Sequence, residues 1–230
     1  MIIKGLQKTT LIDYPGKVAC TMFTFGCNFR CFYCHNPELV IDDGTEPIKE
    51  SDILSFLKER KSFLDAVCVT GGEPTLHKDL PDFLSRIKEM GFLIKLDTNG
   101  TNPEMLEELI DKCLVDYIAM DVKAPLKKYE DAVRVKVNKE NIKKSIEIIR
   151  EKAPDYEFRT TIIPGLLDKK DILAIGEWLK GAKRFYFQQF RSIKTLDKRY
   201  ENKKPYSKEK ILEFCELLKP YFGECGIRGI

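Results

Sequence analysis

The 230-residue sequence contains no apolar run long enough to cross a bilayer as a helix, which takes about 20 residues. It also lacks low-complexity tracts and any linker-like stretch that would divide it, so a single domain over 1–230 is expected. Met1-Ile2-Ile3-Lys4-Gly5 is too short and too soon charged for a secretory signal, and a cytoplasmic chain with reduced cysteines is expected. Charge of one sign is scarce as well. A net charge of +3 is too small to argue for nucleic acid, and neither a nucleic-acid nor a membrane partner is expected. What is present, 43% hydrophobic and 33% charged residues, is the composition of a globular domain in water. Basic stretches at Lys123 to Lys144 and Lys194 to Lys210 are interleaved with acids, so they read as solvated faces or as a docking surface.

Three cysteines stand out against this background. Cys27, Cys31 and Cys34 are spaced C-x3-C-x2-C within Gly26-Cys27-Asn28-Phe29-Arg30-Cys31-Phe32-Tyr33-Cys34-His35-Asn36, and no fourth thiolate accompanies them. A four-iron cluster that only transfers electrons has a cysteine on each iron, so three leave one iron open to another ligand. Zinc also takes thiolates, with His35 offered as a fourth ligand. Structural zinc sites, however, gather two spaced pairs, whereas Cys34 and His35 are adjacent and no second pair follows at zinc-finger distance. A chain of this length buries a core without disulfide staples. Cys20, Cys68 and Cys113 sit among apolar residues and read as small core hydrophobes. Cys215 and Cys225 are too far apart in sequence and too few to argue for a second cluster.

Six β-rich runs, Val18 to Phe25, Ala66 to Thr70, Phe92 to Asp97, Asp116 to Val122, Glu157 to Ile163 and Arg184 to Phe190, are expected to be strands. Helical spacing marks Ser51 to Lys61, Asp79 to Met90, Pro103 to Lys112, Lys139 to Lys152, Lys170 to Lys180 and Lys208 to Leu218. Ser51 and Asn102 are the expected N-caps, and Pro81 and Pro103 suit first helical turns. Alternation of this kind implies parallel strands joined by right-handed crossovers of roughly 30 residues each. Eight units would use about the whole 250-residue allowance of a closed barrel. The expected fold is therefore α/β, a partial (β/α)6 barrel of parallel strands over 18–196. Residues 1–17 form an N-terminal extension and 197–230 a C-terminal helix and tail; a doubly wound sheet is the runner-up.

In such folds reactive groups gather past the C-terminal ends of the strands. There this sequence places Thr70-Gly71-Gly72-Glu73-Pro74, Asp97-Thr98-Asn99-Gly100, Asp121-Val122-Lys123, Arg159 with Thr161, and Gln188 with Gln189. The glycines allow close backbone approach to a ligand, and Glu73 offers negative charge to an ammonium; an ordinary strand-to-helix turn has the same look. Asp97 and Asp121 suit a cation or a sulfonium, or serve as caps. Lys123 and Arg159 suit a carboxylate, or form a surface ion pair. Gln188 and Gln189 point to opposite faces of their strand. An open iron, an amine acceptor, carboxylate donors and the aromatic Tyr33 together outline S-adenosylmethionine.

These residues resemble the radical S-adenosylmethionine superfamily, whose hallmark is C-x3-C-x-aromatic-C. Asp13-Tyr14-Pro15-Gly16-Lys17, Cys34-His35-Asn36-Pro37-Glu38, Leu96-Asp97-Thr98-Asn99-Gly100, Met120-Asp121-Val122-Lys123-Ala124-Pro125, Tyr156-Glu157-Phe158-Arg159-Thr160-Thr161 and Gln188-Gln189-Phe190-Arg191 extend the resemblance. They are similar to the glycyl-radical-enzyme activating enzymes, nearest to the activating protein of anaerobic ribonucleoside-triphosphate reductase. The resemblance implies one [4Fe-4S] cluster on Cys27, Cys31 and Cys34, with S-adenosylmethionine on the fourth iron. It further implies that Tyr33, Gly72, Glu73, Asp97, Thr98, Asp121, Lys123, Arg159 and Gln189 bind the cofactor, with no catalytic residue beyond cluster and cofactor. Reductive cleavage would give a 5′-deoxyadenosyl radical that takes hydrogen from a glycine of the partner enzyme, with flavodoxin or ferredoxin as electron donor. Two alternatives remain at this point: a small-molecule enzyme resembling 7-carboxy-7-deazaguanine synthase, and a non-catalytic iron-sulfur or zinc-binding module.

Overall fold

A computed structural model describes residues 1–229. Eight strands follow one another in a single sheet in chain order: β1 (Ile3–Thr10), β2 (Ala19–Thr24), β3 (Ala66–Gly71), β4 (Leu93–Thr98), β5 (Tyr117–Asp121), β6 (Tyr156–Ile162), β7 (Arg184–Gln189) and β8 (Glu224–Arg228). The α/β class and the six expected strands, β2 to β7, stand as read from the sequence. The helices are α1 (Glu50–Glu59), α2 (Leu80–Glu89), α3 (Pro103–Asp111), α4 (Tyr129–Val133), α5 (Lys139–Lys152), α6 (Lys169–Trp178) and α7 (Lys208–Leu218).

The chain divides into two compact units. The first comprises Met1–Asn28, Glu38–Ala119 and Asn141–Asp155. In it β1 pairs antiparallel with β2, while β2, β3 and β4 run parallel in a continuous register from Ala19↔Ala66 and Ala66↔Leu93. Parallel strands are covered on both faces and so are apolar without alternation; Ala66, Val67, Cys68 and Val69 are all buried. Small residues Ala19, Ala66, Cys68 and Ala119 pack with Tyr14 and Tyr117, whose rings lie 5.8 Å apart. The second unit comprises Phe29–Pro37, Met120–Glu140 and Tyr156–Ile230, and within it β6, β7 and β8 are parallel.

Two strands join the six expected ones. Within the 1–17 extension β1 pairs with β2; its side chains are mostly polar and half-exposed, so it carries little of a strand's sequence signature. The tail likewise contains β8, a short strand of Glu, Cys, Gly, Ile and Arg. Two local expectations are corrected. Ser51 is not an N-cap. Lys49 holds that position without a side-chain bond, and Ser51 lies inside α1, whereas Asn102 does cap α3 by accepting from the Met105 N–H at 3.3 Å. Cys113 is exposed rather than buried, since it occupies the left-handed residue after the end of α3 with φ 54°.

Cys215 on α7 and Cys225 on β8, ten residues apart, bring their sulfurs to 3.3 Å as free thiols. Burial, followed by the neighbouring thiol, pushes Cys225 up and makes it a slow nucleophile. Diamide, an azo oxidant that accepts two hydrogens, should convert the pair to one disulfide, read as loss of two free thiols by alkylation mass spectrometry. Retention of both thiols in wild-type protein, or their equal loss in Cys225→Ser, would show that the pair does not react as one.

Candidate active site

The first unit supplies the start of the cysteine loop and the ends of β3 and β4. Gly71 has φ +123°, and an added Cβ there would lie 2.3 Å from the Thr24 nitrogen; at Gly72 it would lie 2.0 Å from the Gly26 carbonyl oxygen. The glycines thus admit backbone rather than ligand. Gly72 N–H donates to Thr24 O at 2.8 Å and Glu73 N–H to Gly26 O at 2.7 Å, fastening the residue before Cys27 to the end of β3.

Glu73 is 1% exposed and fully engaged. Its Oε1 accepts from the Thr75 N–H at 3.1 Å, the Thr75 hydroxyl at 2.6 Å and the Thr98 hydroxyl at 2.8 Å, and its Oε2 accepts from the Asn99 N–H at 2.6 Å. Burial raises its pKa, and these four donors oppose the rise. The carboxylate is thereby a clamp between the loops after β3 and β4, with one oxygen less crowded than the other. Asp97 pairs with Lys95, two residues back on the same strand face, and does not cap a helix.

Sequence reading assigned no role to Asn99, although it lies within a recognised motif. Its amide donates to Asn28 Oδ1 at 2.9 Å and points toward Cys27 Sγ at 4.0 Å, while its Oδ1 accepts from the Thr101 N–H and hydroxyl.

The second unit holds Cys31, Tyr33 and Cys34 and the ends of β5, β6 and β7. Cys34 N–H donates to Cys31 O at 3.0 Å, closing a turn, and Leu196 and Asp197 N–H groups donate to Cys34 O and Phe32 O. His35 does not serve as a ligand here. Its ring nitrogens lie 3.3 Å from Lys194 O and 3.4 Å from the Arg191 nitrogen, its ring stacks on Phe190, and burial lowers its pKa so that it stays neutral at neutral pH.

Lys123 and Arg159 already hold a carboxylate, that of Asp121. Arg159 Nε donates to Asp121 Oδ1 at 2.9 Å and Lys123 Nζ to Oδ2 at 3.1 Å. Glu157, unexposed, lies between Arg159 and Arg228, giving an alternating chain Arg228, Glu157, Arg159, Asp121, Lys123. Burial alone would raise Asp121, yet Arg159 and then Lys123 pull it down to about 2. Burial would likewise depress Lys123, but Asp121 and then Cys31 hold it well above its ordinary value. Tyr33 is 4% exposed, not an open stacking face, and its hydroxyl is buried without a hydrogen-bond partner. Gln188 Oε1 accepts from Thr161 at 3.4 Å; Gln189 donates to Tyr206 O at 2.9 Å and leaves its own Oε1 buried and unpaired.

No three His, Cys, Asp or Glu side chains stand together at metal-holding distance among the described residues. The donors in each unit nonetheless suit an iron-sulfur centre: in the first, a thiol with an amide directed at it, and in the second, two thiols with an ammonium close enough to Cys31 to respond to its charge. The orphaned Tyr33 hydroxyl suits a polar cofactor.

Asp121→Asn should cost about 3–5 kcal/mol at neutral pH by leaving two cations without their shared anion. Because its folded pKa lies below the unfolded value, the wild-type contribution is present above pH ~4 and fades as pH falls toward about 2. Urea unfolding of the metal-free protein at several pH values checks this, with a shallower acid slope expected in the variant.

The Radical SAM superfamily model matches residues 21–179. A Methanocaldococcus jannaschii protein provisionally named a glycyl-radical enzyme activating enzyme is 36% identical over 100% of this chain and 96% of its own length. The pyruvate formate-lyase-activating enzyme of Streptococcus mutans is 29% identical over 79% of this chain and 73% of its own length. Among solved structures, Streptococcus suis SuiB bound to S-adenosylmethionine shares the fold with a TM-score of 0.70 at 15% identity, covering 90% of this chain and 49% of SuiB. QueE from Escherichia coli shares it with a TM-score of 0.58 at 17% identity, covering 97% and 92%. With its superfamily match spanning most of the sequence and a full-length relative above 30% identity, the chain belongs to the radical SAM superfamily, within the glycyl-radical enzyme activating enzymes.

Proposed function

We propose that this protein, acting in the cytoplasm as a single radical SAM domain over 1–230, activates an anaerobic ribonucleoside-triphosphate reductase by abstracting hydrogen from one of its glycines. The observation that carries the reading is the cysteine loop. It offers three thiols while His35, the neighbour able to complete a zinc site, is drawn aside by Lys194 and Arg191. Cys27, Cys31 and Cys34 would hold one [4Fe-4S] cluster. When bound and reduced by flavodoxin or ferredoxin, that cluster would supply the one-electron reduction of S-adenosylmethionine on which removal of the glycine hydrogen depends.

The chain's own residues bind and orient. Lys123 and Arg159 are the donors suited to the methionine carboxylate, and Asp121 keeps the two cations from separating. Glu73 ties the loops after β3 and β4 through Thr75, Thr98 and Asn99, and its less crowded Oε2 would accept from the ammonium. Asp97, paired with Lys95, would balance the sulfonium, and Tyr33 and Gln189 would offer their unpaired oxygens to the adenosine.

Mixing the anaerobically reconstituted, reduced protein and S-adenosylmethionine with a candidate reductase should produce a backbone glycyl radical signal by electron paramagnetic resonance, with 5′-deoxyadenosine formed. Turnover of a pterin without any partner would instead favour a small-molecule enzyme, and absence of 5′-deoxyadenosine would favour a binding module. Cys31→Ala should abolish cluster binding, whereas Glu73→Gln should keep most of the iron and weaken cofactor binding by about tenfold, the scale of one charged hydrogen bond. Equal iron loss in both variants would make Glu73 purely structural.

A further inference from the structure

Within the second unit, the loops following β5, β6 and β7 enclose a trough. Its inner part is a cavity of about 250 Å³ lined by Phe32, Arg134, Gly165, Tyr200 and Lys203 among others, and an adjoining cavity of about 660 Å³ shares Arg134, Tyr200 and Lys203 and adds Lys198. Phe32 lies between Cys31 and Cys34, so the cysteine loop itself forms one wall.

The lining carries five cations, Lys128, Arg134, Lys198, Arg199 and Lys203, against the carboxylates of Asp131 and Glu201. Two are spent: Lys128 pairs with Asp171 at 2.7 Å and Arg199 makes a two-pronged contact with Asp197. Arg134, Lys198 and Lys203 make no ion pair within 4 Å among the described residues, although Arg134 is near enough to Asp197 to help lower its pKa. Arg134 lies over the Phe32 ring at 5.1 Å and Lys203 over Tyr200 at 5.1 Å, while those two rings contact each other at 4.2 Å. Aromatic faces thus hold both cations in place without neutralising them.

We propose that this trough holds the partner polypeptide: an acidic segment, carried by the protein whose glycine is activated, lies along Arg134, Lys203 and Lys198. The inference rests on the reading of the chain as an activating enzyme. A polypeptide fits better than a small anion because the unpaired cations are strung along two connected cavities. Clusters of Arg and Lys are a recurrent means of recognising acidic motifs.

The experiment measures fluorescence anisotropy of a fluorescein-labelled poly-glutamate peptide with the anaerobically reconstituted protein. Wild type should bind, more weakly as salt rises, and Arg134→Gln/Lys203→Gln should bind at least about tenfold more weakly. The control Lys112→Ala, distant in sequence and paired with Glu108, should bind as wild type does. Iron content and circular dichroism equal to wild type verify that the double variant is folded, and the single variants replace it otherwise. Equal affinity in the charge-removed variants overturns the proposal, as does displacement of the peptide by equimolar pyrophosphate, which would mark a small-anion site. S-adenosylmethionine cleavage without peptide binding overturns the trough alone; peptide binding without cleavage counts instead against the activase reading.

Discussion

A single close approach of backbone governs the first unit. The ends of β2 and β3 come together so tightly that the carbonyl of Gly26 occupies the space a side chain would need at Gly72. Two hydrogen bonds close that contact, and the first cluster cysteine begins at once beyond it. The Gly-Gly-Glu segment therefore acts first on the protein itself. It fixes where the cysteine loop leaves the sheet, and Glu73 passes the constraint to the loop after β4 through Thr98 and Asn99. From there Asn99 returns to Asn28 and Cys27, so the path of backbone and side-chain contacts ends where it began.

The second unit is organised by charge. Five side chains of alternating sign come from β5 and the loop just past it, β6 and β8, and each internal member is flanked by opposite charges. Glu157 and Arg159 are buried, and such charges are costly alone and tolerable in sequence.

The strands β2 to β7 were legible because each is dense in β-branched, aliphatic or aromatic residues, buried on both faces in β3 and β5 and mainly on one in β7. β1 and β8 were not. Each borders only one neighbouring strand, and Gln7, Lys8 and Thr9 or Glu224 and Arg228 read as loop when no partner strand is in view. The residues at strand ends were recognised by position and by motif, but their partners were not. Lys95 was legible in principle, two residues before Asp97 and hence on its face. Asn99 and Arg228 were not, since nothing local shows that an amide will turn toward a sulfur or that a residue near the end of the chain will meet Glu157. The sequence distance between Cys215 and Cys225 was taken as separation, and only the return of β8 alongside α7 removes it.

Strand order in the sheet is also chain order. Each strand after the first finds a neighbour that has already been synthesised, and no strand must wait for a later one to be inserted beside it. The sheet can grow from one edge as the chain emerges, with the long crossovers closing one at a time. Growth ends at β8. The edge completed last is the one that brings a thiol to Cys215 and an arginine to Glu157, so the far end of the charge chain is put in place only after the strands that carry its other members.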